Sequence, residues 1–354
     1  MSECDLHTVR LHPRFGVEQG IRPDGTVKVR SVDHYSWHAG HRRCKRRRKE
    51  ASVNGHCLLT EKITHDHVDD IVAGMASLQR QSGVLPWLWK LDIDSAYRRV
   101  PLASCDQWAS WIAFRFMMQV FVAMQLACPF GATSSVQAWQ RIAAAVTFLG
   151  RSILGVVVFC YVDDYIGVDR CCACLFVGCS MHRVILVLRP ECAEHAMQCM
   201  ARLVRVILGK SAVAERKLEF GPTLVALGIR ITPCASGYRC ELDEEKAAKC
   251  IATITEALTT GELNPGVARK LAGRLSWASQ FVFRRLGRAM LRPIFGRGHS
   301  SECLLDGALR QALMWWLMIL REGIAEVRPW QPPRDPPLYL HVDARGVPPR
   351  RAHV

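Results

Sequence analysis

Apolar residues recur along this chain with two different periods, and the changes of period mark out its elements. Over residues 61–80, Ile63, Val68, Ile71, Val72, Met75 and Leu78 fall at roughly helical spacing, which predicts a helix. From Pro86 onwards apolar residues dominate. Trp87-Leu88-Trp89-Lys90-Leu91 reads as a buried strand running into Asp92-Ile93-Asp94. Residues 132–149 suit a helix that opens after the breakers Pro129 and Gly131. Gly155 to Tyr161 is apolar and β-branched, and Tyr165 to Val168 is a second short run suited to a strand. With Val162-Asp163-Asp164 between them, the two runs predict a hairpin carrying two acids at its tip.

The last third reads as helical. Asp243 is a good N-cap for a helix through Leu258 that closes at Gly261. Asn264-Pro265 opens another, in which Val267, Leu271, Leu275 and Ala278 recur every three or four residues. Beyond Trp330 the stretch QPPRDPP reads as a linker, and Leu338 to Val342 starts a further strand. No internal repeat is visible.

Composition narrows the picture. The 354 residues are 49% hydrophobic and 22% charged, a globular mixture with room for two or three subdomains. Lys and Arg number 47 against 32 Asp and Glu, a formal +15 that favours a polyanionic partner, nucleic acid before membrane. The densest basic run, His41 to Lys49, reads either as a solvated, import-like tract or as a phosphate contact. Met1 to Arg10 has no apolar run of the kind that opens a secretory signal, so an intracellular protein of nucleus or cytoplasm is expected. The 16 cysteines are then free thiols, and none of their spacings makes a paired zinc motif. No uninterrupted apolar window reaches membrane-spanning length; Cys171 to Leu188 comes nearest, broken by His182 and Arg183.

Candidate chemistry lies in the acids. Transfer of a phosphoryl group to a sugar hydroxyl is served by two divalent ions about 4 Å apart, held by hard oxygen ligands. An Asp at the end of one strand and another at a neighbouring hairpin tip supply such ligands if the strands share a sheet. Asp92 and Asp163 have that placement. Each has a plainer reading, Asp92 as a helix N-cap and Asp163-Asp164 as an ordinary turn.

Several segments, in order, resemble the reverse transcriptases of retroviruses and retrotransposons. WKLDIDSAYRRVPL (89–102) resembles their first catalytic motif, CPFGATSSVQAWQR (128–141) the second, and FCYVDDYIGV (159–168) the Tyr-x-Asp-Asp hairpin. GTVKVRSVDHYS (25–36) is similar to the segment whose basic residues hold the triphosphate, and ERKLEF (215–220) and ALGIRIT (226–232) to the motifs that close the palm. The resemblance covers roughly residues 15–300 and implies an α+β right-hand polymerase with fingers, an antiparallel palm sheet and a helical thumb. It divides the chain into a fingers-like region (1–88), a palm (89–236), a thumb (237–300), and a connection with a truncated ribonuclease H-like start (301–354).

The same resemblance implies roles. Asp92, Asp163 and Asp164, with the Ile93 carbonyl, would hold two Mg2+ ions, or Mn2+ in their place. Arg30, with Lys28 or Arg22, would meet the triphosphate; Tyr97 would screen the sugar; Phe130 and Gly131 would line the nucleotide pocket. Tyr97 also reads as an ordinary core aromatic. Lys217 would donate a proton to the leaving pyrophosphate, and Arg269, Lys270 and Arg274 would track the duplex. The implied partners are an RNA or DNA template with its primer and deoxynucleoside triphosphates, with no membrane.

Two departures stand out. The family reaches an Asn soon after the segment matching Ser36, whereas here the basic run intervenes before Asn54. Residues 171–192 also look like an insertion, placed inside the palm before a helix from Ala193 to Leu208. LYLHVDARG (338–346) resembles the first strand of a ribonuclease H domain, with Asp343 its first carboxylate, and that activity is not expected of these residues. The alternative to a working polymerase is a degenerate retroelement fragment that binds nucleic acid without catalysis.

Overall fold

A computed structural model describes residues 9–21, 24–37, 52–58, 61–170, 176–180, 183–187, 192–283, 286–323 and 327–331. Arg22, the basic run from His41, and the ribonuclease H-like segment at 338–346 lie outside the described residues. The strands are β1 (Leu11–Ile21), β2 (Val27–Asp33), β3 (Pro86–Asp92), β4 (Trp111–Phe116), β5 (Gln119–Met124), β6 (Val157–Tyr161), β7 (Asp164–Arg170), β8 (Phe176–Ser180), β9 (Arg183–Val187), β10 (Glu219–Gly221), β11 (Leu224–Ala226), β12 (Ile229–Cys234), β13 (Gly237–Leu242) and β14 (Arg328–Pro329). The longer helices are α1 (Val68–Ser82), α2 (Thr133–Ile153), α3 (Cys192–Leu208), α4 (Glu244–Thr260), α5 (Pro265–Phe281), α6 (Arg288–His299) and α7 (Gly307–Glu322).

The central sheet has the order β10-β3-β7-β6 and is antiparallel throughout. Its inner strands β3 and β7 are buried on both faces, which is why they read as near-continuous apolar runs rather than as alternating ones. Alternate residues still divide between two cores. Trp89, Leu91, Val158 and Tyr165 face α2 and α3, packing with Trp139, Val146 and Met200. Leu88, Ile166 and Val168 face α1 and the C-terminal helices, packing with Ile71, Met75 and Leu275. Trp89 lies flat over Gly167 of β7, a position where any side chain would collide with the indole.

A second sheet, β2-β1-β4-β5, joins two antiparallel hairpins through parallel β1 and β4. A third, β11-β12-β13-β14, underlies the helices of the last third. Those helices continue past residue 300: α7 packs against both α4 and α6 and buries Leu313 and Trp316 completely. Among the described residues β8 and β9 pair only with each other, as a two-stranded sheet of their own. Among the described residues no helix is long and apolar enough to cross a membrane.

The predicted helix over 61–80 begins late, at Val68. Residues before it are irregular, and α2 takes up their polar groups: Gln137 donates to the Glu61 carbonyl, Gln140 to the Thr64 carbonyl, and Arg141 to the Glu61 carboxylate. Asp243 stands at the predicted N-cap of α4, yet its side chain makes no capping hydrogen bond. Asn264 does cap α5, accepting from the Gly266 amide, and Gly261 ends α4 in the left-handed conformation.

Candidate active site

The acids meet at one end of the central sheet. Asp92, the last residue of β3, is registered directly against Asp164, the first of β7. Tyr161 pairs with Asp164 across the hairpin, so Val162 and Asp163 alone form its tip. Such a two-residue turn with positive φ at its first position suits Gly, yet Val162 occupies it at φ 58°. A β-branched residue there stores about 1–3 kcal/mol of strain, which the surroundings must over-determine. They do: the Trp139 indole donates to the Val162 carbonyl at 2.7 Å, and the Ile93 amide donates to the Asp163 carbonyl at 3.2 Å. The tip is thereby tied both to α2 and to the end of β3.

Beyond Asp92 the chain is held on its other side. The Ala214 amide donates to the Asp92 carbonyl and the Asp94 amide to the Ala212 carbonyl, leaving the Ile93 carbonyl out of both bonds. A short turn then brings the Lys217 ammonium onto Asp92 Oδ2. Asp92 is only 7% exposed. Burial raises Asp163 above the usual carboxylate range, and the charge of Asp92 adds to it. Asp164 is pushed up to about 6, first by burial and then by its two acidic neighbours.

The donor set is all hard oxygen, and its mutual repulsion is of the kind a divalent cation relieves. Lys217 already supplies one positive charge to it. The acids are not drawn into a ready-made cage: among the described residues, no three His, Cys, Asp or Glu side chains converge as a metal-binding group. Two carboxylates whose remaining positions go to water and substrate oxygens still make a sufficient magnesium site.

Beside the acids stands an aromatic and cationic wall. Tyr97 meets Phe130 edge-on at 5.1 Å, and the Arg30 guanidinium lies 4.9 Å over the Phe130 ring. Burial raises the Tyr97 phenol, with the charge of Asp163 adding to it, so tyrosine and acid are electrostatic neighbours. Lys28 is exposed two residues from Arg30, on the same face of β2. Gly131, at φ 100°, presses against the Asp33 carbonyl where a side chain has no room. Asn54 secures this turn: its Nδ2 donates to the Gly131 carbonyl at 2.8 Å, and its Oδ1 accepts from the Thr133 amide at 2.8 Å. Ala132 cannot cap α2 with its own side chain, so Asn54 does so from a distant part of the chain.

A cavity of about 1020 Å³ opens in front of Asp92 and Asp164. Its lining also includes Lys246 and Lys249 of α4 and Arg274 and Trp277 of α5. Arg269 and Lys270 are exposed elsewhere on α5 and do not line it. Lys246, Lys249 and Trp277 were not singled out in the sequence; the cue was the exposed edge of two amphipathic helices, which alone reads as ordinary solvation.

No protein-family model matches the chain, and no curated protein matches it. Solved structures do. A foamy viral protease-reverse transcriptase in complex with an RNA/DNA hybrid superposes with a TM-score of 0.53 at 17% identity over 89% of this chain and 34% of that one. The same enzyme with double-stranded DNA gives 0.51 at 16% identity, over 92% and 54%. The chain therefore has a reverse-transcriptase-like fold of mixed α and β structure. It spans about a third to a half of the length of those structures.

Proposed function

We propose that the chain is a template-directed DNA polymerase of the reverse-transcriptase type, with the central sheet as palm, the β2-β1-β4-β5 sheet as fingers and the C-terminal helices as thumb. The observation that carries the reading is the register of Asp92 against Asp164, with Asp163 next to it at the hairpin tip, and a cavity that Asp92 and Asp164 line together with basic residues of α4 and α5. The order of the sequence motifs and the shared fold support it.

On this reading Asp92, Asp163 and Asp164 would hold Mg2+, with the Ile93 carbonyl as a further ligand. The bound ions would activate the primer hydroxyl and stabilise the leaving pyrophosphate. The chain's own residues do the positioning. Arg30 and Lys28 take the triphosphate from the fingers side; Phe130 and the tight Gly131 turn form the nucleotide's floor; the Tyr97 ring blocks a ribose 2′-hydroxyl by contact. Lys217 neutralises Asp92 in the structure and turns from it to protonate the leaving group. Lys246, Lys249 and Arg274 hold the template–primer by its phosphates.

Primer extension tests the proposal. Purified chain should extend a DNA primer on RNA and DNA templates with magnesium and fail without a divalent ion. Template–primer binding with no extension under any of these conditions would discard the polymerase and leave a protein that only binds nucleic acid.

A further inference from the structure

Behind the Phe130 ring lies a buried polar cluster that the proposed chemistry does not use. At its centre is Asp33, at the end of β2, with a side chain 1% exposed. Arg14 of β1 grips it twice, Nε at 2.6 Å from Oδ1 and Nη2 at 3.0 Å from Oδ2. Gln125, also buried, donates from Nε2 to Asp33 Oδ2 at 3.1 Å and lies 3.0 Å from the Tyr35 hydroxyl. Its Oε1 accepts from Arg98 Nη1, and Arg98 Nη2 stands 3.6 Å from Asp33.

Arg98 is therefore held at two points, and the cluster has two guanidinium groups for one carboxylate. The same Arg98 guanidinium lies 5.9 Å over the Phe130 ring, on which Arg30 also rests at 4.9 Å. The two arginines differ in one respect. Arg98 spends its donors on Gln125 and Asp33, whereas among the described residues Arg30 makes no hydrogen bond or ion pair and meets Asp163 only through the longer-range attraction of their charges. One cation is pinned to the protein and the other keeps its donors for a ligand, and both rest on the same ring.

We propose that Arg98 is a positioning residue: pinned by Gln125 and Asp33, it steadies the Phe130 ring and so holds the Arg30 guanidinium where a polyphosphate is taken. This rests on the polymerase reading, in which that polyphosphate belongs to the incoming nucleotide. The role depends on the planar two-point hold of a guanidinium, so charge alone does not replace it.

The test is calorimetric titration of the purified full chain with inorganic tripolyphosphate. Wild type binds, and Arg30→Ala weakens binding about tenfold, the scale of one well-placed cationic contact. Arg98→Lys keeps the charge and loses the hold, and it should weaken binding about as much; Gln125→Met, which leaves Arg98 intact, should do the same. Because Arg98 acts through Arg30, adding Arg98→Lys to Arg30→Ala should cost nothing further. The assignment is overturned if wild type does not bind tripolyphosphate, if Arg98→Lys and Gln125→Met bind like wild type, or if the two arginine losses multiply. Should Arg98→Lys fail to fold, Gln125→Met decides. Primer extension run on the same wild-type sample separates the two claims: tripolyphosphate binding with these losses but no extension ends the polymerase reading and leaves the Arg98 assignment standing.

Discussion

Three carboxylates at one sheet end make the individual side chain the first scale at which the account can be checked. Asp164, pushed up to about 6 from an ordinary 3.8, keeps its proton in the folded chain over a range where the unfolded chain has lost it. Stability measured without divalent ions should therefore fall as pH rises from about 4 to 6, since the native state binds the extra proton. Denaturant unfolding across that window should show the fall in wild type and a flatter profile in Asp164→Asn; identical profiles would remove Asp164 as its source. Tyr97 offers a kinetic check. If its ring excludes the ribose hydroxyl by contact, Tyr97→Ala should admit ribonucleotides while deoxynucleotide use falls only moderately. Unchanged sugar selectivity in single-nucleotide incorporation would return Tyr97, with its edge-on contact to Phe130, to the role of a core aromatic.

Elements show where local pattern suffices and where it does not. β3 and the β6–β7 hairpin were legible because both are short apolar runs ending in acids, and a buried central sheet demands that composition. The start of α1 was not legible. Ile63 continues the helical spacing, but side chains of α2, more than seventy residues away, bind the carbonyls of Glu61 and Thr64 outside any helix. The candidate site divides in the same way. Its acids stand at strand ends and could be read there, whereas Lys217 on Asp92, Asn54 on Gly131 and Arg98 on Gln125 join separate segments that no periodicity relates. Strand packing yields a sharp prediction. Gly167→Ala drives a methyl into Trp89, an overpacking that should cost about 3 kcal/mol in chemical denaturation; a loss below ~0.5 kcal/mol would mean the two strands have room to part. The β8–β9 sheet adds no strand to the central one. Joining Arg170 to Ala193 through a short polar linker should accordingly preserve the folded state and any primer extension, and collapse of either would make the segment an integral part of the central layer.

At the scale of the whole molecule, a formal +15 and a cavity lined by acids together with lysines and an arginine are read in the proposal as two tasks, holding a polyanion and acting on it. Removing Lys246 or Arg274 should weaken template–primer binding at every sequence and lower the slope of log affinity against log salt by roughly one per lost phosphate contact. Removing an acid should do the opposite, sparing affinity and ending chemistry. The direct test measures both properties on the same protein: template–primer affinity and primer extension for wild type, Asp92→Asn and Asp163→Asn. On the polymerase assignment, wild type should extend the primer, neither variant should do so detectably, and the affinities should lie within a few-fold of one another. Extension at near-wild-type rate in Asp92→Asn or Asp163→Asn would contradict it.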